Sequence, residues 1–253
     1  MLDQYYKTEI NQLERIDKFL LAKFLSTSRN GPGPLVFLEL GAQPIRYCLM
    51  AKRIMFLYYI LSRPEDELLS QVFHAQMENP VRNDWVLQVQ KDLQDIGLGY
   101  LSMQDIKSQS KESFKSLVKE KCSKLAFSNL MKEKEGLSKM NNLTYGKLEM
   151  QEYLSTDKLN SQQKRLLYRI RTRTIDTPDS YGRNTLCSLC NLARDEISHV
   201  IDCIVIKLAC PDIYLSESIR IEDAYQQSDL DKMKQLAVVF NKAWRVRKVL
   251  LGK

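Results

Sequence analysis

Apolar residues recur at three- and four-residue steps along almost the whole chain, a spacing that admits little besides packed helices. In residues 8–25 the step falls on Ile10, Leu13, Ile16, Leu20, Leu21 and Phe24, one stripe down one face. Arg29-Asn30-Gly31-Pro32-Gly33-Pro34 ends that stripe, because glycine and proline both interrupt a helix. The short run 35–40 reads as a strand or an extended approach. Pro44 opens an apolar helix over 45–61. Pro64 with Glu65, Asp66 and Glu67 starts another, with proline in the first turn and acids near the positive end. Asn83 or Asp84 can cap a helix that runs to Ile96 and closes at Gly97. Ser102 and Asp105 have the spacing of a capping box for a short helix, and a long helix over 111–134 follows. Residues 135–146 hold Gly, Ser and Asn without a clean period and read as linker. A helix over about 161–174 and a last one from Ser228, capped against Asp231, to about Leu251 complete the pattern.

The expected fold class is therefore mainly α. A multi-helix domain over 1–134 and a linker over 135–160 precede a third region, 161–253. That region holds a basic helix, a small cysteine–histidine module and a basic C-terminal helix. Composition agrees, since 44% apolar and 27% charged residues are the proportions of a globular chain. No run approaches the roughly 18 apolar residues that a membrane span requires. The N-terminal MLDQYYKTEINQLERIDKF carries acids and resembles neither a signal nor a transit peptide. Six cysteines without a regular framework argue for reduced thiols inside a cell, in nucleus or cytoplasm, rather than for a secreted disulfide scaffold. A net charge of +7 favours polyanionic partners.

The sharpest chemical signal is Cys187-x2-Cys190-x8-His199-x3-Cys203, a CCHC pattern. Two thiolates separated by two residues fit a tight turn around one metal. A His and a Cys four apart share one face of a helical turn. Three sulfurs and an imidazole make a closed tetrahedral set, so a structural Zn2+ in a zinc knuckle is expected. Such sites yield apparent binding free energies on the order of 10 kcal/mol, enough to order a short module. Cys210 is an alternative ligand, and the plain alternative is buried free cysteines near a core histidine.

Just before the cluster stands Lys164-Arg165-Leu166-Leu167-Tyr168-Arg169-Ile170-Arg171-Thr172-Arg173. Arg165, Arg169 and Arg173 are four apart on one face, while Leu166, Leu167 and Ile170 would dock on the core. Cations without an intervening acid can track a phosphate backbone, and Tyr168 could stack on a base. The C-terminal helix repeats the pattern with Lys242, Arg245, Arg247, Lys248 and Lys253 beside Phe240, Trp244 and Leu250. Against both stands the commoner outcome, a solvated or internally paired face, helped at the C-terminus by the helix dipole. Lys111, Lys115, Lys119, Lys121 and Lys124 form a third stretch, diluted by Glu112 and Glu120. His74 and Trp85 read as core-edge residues. No phosphate loop, HExxH, GxSxG or YxDD motif occurs, so no independent catalysis and no small-molecule substrate are expected.

One order of short motifs resembles the region downstream of the catalytic core in non-LTR (LINE-type) retrotransposon reverse transcriptases. It runs from Leu38-Glu39-Leu40-Gly41 through Pro44-Ile45-Arg46-Tyr47 and Ala51-Lys52-Arg53-Ile54-Met55-Phe56-Leu57 to Ile60-Leu61-Ser62-Arg63, with Glu67-Leu68 beyond. Asn83-Asp84-Trp85, Met150-Gln151-Glu152-Tyr153-Leu154, the run 166–173, the CCHC cluster and the basic terminal helix follow. The resemblance implies a helical thumb-like connection and a zinc knuckle that grips RNA or DNA. Its ligands would be Cys187, Cys190, His199 and Cys203, with Arg165, Arg169, Arg171 and Arg173 against the backbone. The full expected contact set is Lys164, Arg165, Tyr168, Arg169, Arg171, Arg173, Arg245, Arg247 and Lys248. The chain departs from that family in lacking the catalytic aspartates and an endonuclease motif. The alternative is a protein-interaction module, docking through its zinc knuckle and helix 45–61 onto the polymerase core of a related element or another partner.

Overall fold

The computed structural model describes residues 2–25, 33–81, 84–212, 219–225 and 229–252. Residues 29–32, Asn83, Ser228 and Lys253, named above, lie outside the described residues. Among these residues there are twelve α-helices and no strand, only isolated bridges pairing Leu40 with Met150 and Leu186 with Arg194. No described helix is long and apolar enough to cross a membrane. The chain divides into two compact units, each assembled from three separate stretches of sequence.

Unit one comprises Met1–Leu20, Ala42–Glu133 and Gly146–Leu148. It contains most of α1 (Leu2–Phe24), then α3 (Ile45–Leu61), α4 (Leu68–Glu78), α5 (Trp85–Asp95), α6 (Met103–Ser108) and most of α7 (Lys111–Glu135). In α7, Phe114, Val118, Cys122 and Ala126 recur every fourth residue and are all buried, so the stripe meets the core along its length. Tyr47, Ile54, Leu57, Ile60 and Leu61 from α3 and Val86, Val89 and Leu93 from α5 join it. Arg53 of α3 grips Asp92 of α5 through two bonds, 2.7 and 3.1 Å, and Gln88 adds a third at 2.9 Å. That answers a carboxylate only 1% exposed. Burial pushes the Cys122 thiol up to about 11, leaving it a protonated apolar filler.

The helix boundaries in this unit follow local chemistry. The Ser102 hydroxyl accepts from the Asp105 N–H at 3.1 Å and the Asp105 carboxylate accepts from the Ser102 N–H at 2.9 Å, which closes the box at the start of α6. Asp84 stands at the N-cap of α5, but its carboxylate accepts from Val81 N at 3.1 Å and makes no cap bond to the helix.

Unit two comprises Leu21–Gly41, Lys134–Tyr145 and Glu149–Lys253. It holds α2 (Gly33–Leu40), α8 (Glu152–Ser155), α9 (Ser161–Arg171), α10 (Ile197–Asp202), α11 (Ile204–Ala209) and α12 (Leu230–Leu250). Residues 35–40 are helical, not extended, and all six are buried. A segment covered on every side has no polar face, so its periodicity is silent. The stretch expected to be a linker, 135–160, is packed as well, with Met140, Leu143, Gln151, Tyr153 and Leu159 buried. Short turns that sink one residue each leave no repeat to detect. Helix α9 stops at Arg171 rather than at 174, because Arg173 adopts φ +49° and Thr174 N reaches back to Arg169 O at 2.9 Å. Helix α12 is capped by Asp229, whose side chain accepts from Lys232 N at 2.9 Å.

Candidate metal centre and adjoining cleft

The cysteine–histidine cluster is built by a short reversal of the chain followed by two short helices. Cys187 N donates to Ala193 O at 2.8 Å and Asp195 N to Thr185 O at 2.9 Å, which folds residues 185–195 back on themselves around the bridge between Leu186 and Arg194. Asn191 turns the chain with φ +55°, a conformation asparagine tolerates better than most residues. Cys187 and Cys190 sit on this turn. Helix α10 presents His199, and Cys203 occupies the break between α10 and α11. One donor atom from each of the four lies within 4.8 Å of the others. Cys187 Sγ is 3.9 Å from Cys203 Sγ, and Cys190 Sγ is 3.2 Å from His199 Nε2. A tetrahedral centre with metal–sulfur bonds of about 2.3 Å sets its sulfurs about 3.8 Å apart, so the group could hold a metal ion. Cys210, the alternative ligand, is buried outside this group of four.

The electrostatics around the sulfurs favour a thiolate. Burial alone would raise the Cys187 thiol, but the backbone N–H groups of Cys190 and Leu189, then the Arg247 guanidinium and His199, bring it down to about 6. Burial raises the Cys203 thiol against the backbone donors of Ile206 and Val205, and the neighbouring Cys187 sulfur adds to the rise. Arg247 reaches Cys187 Sγ at 3.7 Å and donates to Asp195 Oδ2 at 2.6 Å. It also lies 5.9 Å from the centre of the Trp244 ring. One side chain of α12 thus joins the ligand turn to the helix that packs beside it.

The residues expected to contact nucleic acid divide into two groups. Tyr168, Arg171 and Arg247 are buried, and their burial corrects the expected set. Tyr168 has no exposed surface on which a base could stack. Arg171, also without exposed surface, is paired with Glu39 Oε1 at 3.0 Å. Arg247 is only 4% exposed and is paired with Asp195. Each lies on the buried stripe of its helix, with Leu167 four residues before Arg171 and Ala243 four before Arg247. Lys164, Arg169 and Arg173 are half-buried, whereas Arg165, Arg245 and Lys248 are exposed. Among the described residues none of these six is ion-paired with a carboxylate. Arg165 donates to Phe24 O at 3.3 Å.

Helices α9 and α12 bound a cleft of about 430 Å³. Arg165, Arg169 and Lys248 line it, with Trp244 and an apolar surface of Leu166, Ala237 and Val238. No acid lines it. Trp244 is half-buried and stacked on Phe240, ring centres 6.2 Å apart and planes at 16°. The sequence pattern marks the cations but not Asp195, Asn241 or the part of Trp244. The signal for Trp244 was its place four residues before Lys248, on one face of α12.

Helix α3, expected to offer an apolar face to a partner, places Tyr47, Ile54, Leu57, Ile60 and Leu61 in the core of unit one. Its exposed large side chains are Phe56 and Tyr59, each 44% exposed and stacked on one another. No family model, curated protein or solved structure matches the chain.

Proposed function

We propose that this chain is a non-catalytic nucleic-acid-binding module in which a structural Zn2+, held by Cys187, Cys190, His199 and Cys203, fixes a basic surface on α9 and α12. It is similar in this to the region that follows the polymerase core in non-LTR retrotransposon reverse transcriptases. The carrying observation is the bond from Arg247 to the Cys187 sulfur, because α12 also supplies Lys248 and Arg245. A bound Zn2+ would be closed off by three thiolates and one imidazole, whose charge outweighs that of the ion, and would hold the ligand turn folded. Arg247, with Asp195 as its counter-ion, holds α12 against that turn. Lys164, Arg165, Arg169, Arg173, Arg245 and Lys248 are the candidate phosphate contacts. The shape of the surface carries no base code of its own, so binding is driven by counter-ion release and weakly selective for sequence.

Two measurements test this. Purified protein should contain one equivalent of zinc, and its removal by a chelator should weaken oligonucleotide binding. Replacing Arg165 and Arg169 by alanine should reduce the slope of log affinity against log salt by about 1.4, near 0.7 for each lost single-strand phosphate contact. Wild-type affinity and slope in that variant would overturn the assignment of the surface. Protein that folds and binds with no metal would overturn the role of the cluster.

A further inference from the structure

We infer that the cleft between α9 and α12 is the seat of one unpaired nucleotide, so that the chain binds single-stranded nucleic acid in preference to duplex. The inference rests on the nucleic-acid reading above and adds the strandedness and the place. At about 430 Å³ the cleft lies at the small end of ligand sites, which span roughly 300–1,000 Å³. It is concave and has room for a base and its sugar, whereas a duplex keeps its bases stacked inside and offers no free base to insert. Its lining joins the two chemistries of a nucleotide, apolar and aromatic for the base and cationic for the phosphates. Leu166, Ala237 and Val238 give an apolar surface, and Trp244 gives the indole on which a base can stack. Arg165, Arg169 and Lys248 supply charge for the flanking phosphates.

Carboxamides complete the lining and offer both donors and acceptors to a base edge. Gln163 and Asn160 form the capping box of α9, in which each side-chain oxygen accepts from the other's backbone N–H, at 3.0 and 2.9 Å. Their amide NH2 groups are donors left over from that arrangement. Gln162 and Asn241 line the cleft too. Because every base has a π-face, stacking on Trp244 tolerates any sequence. The RNA or DNA backbone meets the same cations, so both chemistries fit. The stacking role expected of Tyr168, which is sealed inside α9's packing, falls to Trp244.

The chain has two tryptophans, and Trp85→Phe keeps a ring beside Phe56 and Phe73 while leaving Trp244 as the one tryptophan. In that variant, oligo-dT and oligo-U of twelve nucleotides should quench Trp244 on binding, and a duplex of the same length should not. Anisotropy of labelled strands should show the single strands bound about tenfold more tightly. Trp244→Leu should remove most of that preference, since losing one stacked base costs on the order of tenfold. Should Trp244→Leu unfold the helix, Val238→Glu serves instead, because Val238 is 54% exposed and its substitution places a repelling charge at the rim. That variant should weaken single strands more than duplex. Unchanged tryptophan emission at saturation, or an unaltered single-strand to duplex ratio in Val238→Glu, overturns the cleft while leaving nucleic-acid binding in place. Absence of binding to any strand overturns both.

Discussion

Arg171 has no exposed surface, and its charge is answered from several elements of unit two at once. Its Nε donates to both oxygens of Glu39, at 3.0 and 3.2 Å, and its Nη1 donates to Ala224 O. Tyr145 and Tyr153 donate to the same carboxylate at 2.6 and 2.8 Å. Burial opposes the charge on Arg171, but the Glu39 carboxylate outweighs it and holds the guanidinium above its ordinary range. Burial, then Glu39, push the Tyr153 phenol well above its ordinary value, so it stays a donor. Removing one partner leaves the other buried and unanswered. Arg171→Met should therefore lose about 3–5 kcal/mol of stability in urea unfolding. The double variant with Glu39→Gln should recover part of that loss, because the stranded carboxylate is gone. If the double variant lost as much as the two singles added together, the pair would not be coupled. The arginine lay in plain view within a run of cations, and its fourth-residue spacing from Leu167 already aligned it with the buried stripe. Its acid partner, 132 residues away, left no local trace.

Two helix ends show how the same backbone conformation can carry different obligations. Gly97 ends α5 with φ +73°, and Leu98 N bonds Leu93 O at 2.7 Å while Gly97 N bonds Gln94 O at 2.9 Å, a closed C-terminal turn. A Cβ there would meet nothing within 4 Å. Gly41 follows α2 with φ +61°, and a Cβ there would fall 2.2 Å from the backbone of Glu149 and Met150. Gly97→Ala should thus cost about 1 kcal/mol, the strain of the left-handed conformation alone. Gly41→Ala should cost about 3 kcal/mol or more, since one of two backbones must move. Thermal melts of the two variants check the ordering, and equal losses would mean that the close approach does not matter. Gly97 was legible because a polar-faced helix led up to it. Gly41 was not, because what it must avoid is a distant piece of chain. At the candidate metal centre the four residues that could hold a metal ion were legible from spacing alone, whereas Asp195 and the inward turn of Arg247 depend on how α12 packs.

Eight of the twelve helices among the described residues followed from periodicity and caps, but α2, α8, α10, α11 and the assignment of segments to units did not. The region 161–253, expected to stand apart, shares unit two with Leu21–Gly41 and Lys134–Tyr145. A fragment of residues 161–253 lacks Glu39 and all of α2, so it should show no cooperative thermal transition by circular dichroism, with or without zinc. A sharp two-state melt would refute the interleaving. The apolar segment α2 has a further predicament while the protein is being made. Its burial requires partners that leave the ribosome more than a hundred residues later. At a synthesis rate of roughly 5–20 residues per second, that wait is on the order of ten seconds. Throughout it, most of the unit that buries Leu35, Val36, Phe37 and Leu38 is still unmade, and a chaperone that shields short greasy segments would find its substrate there.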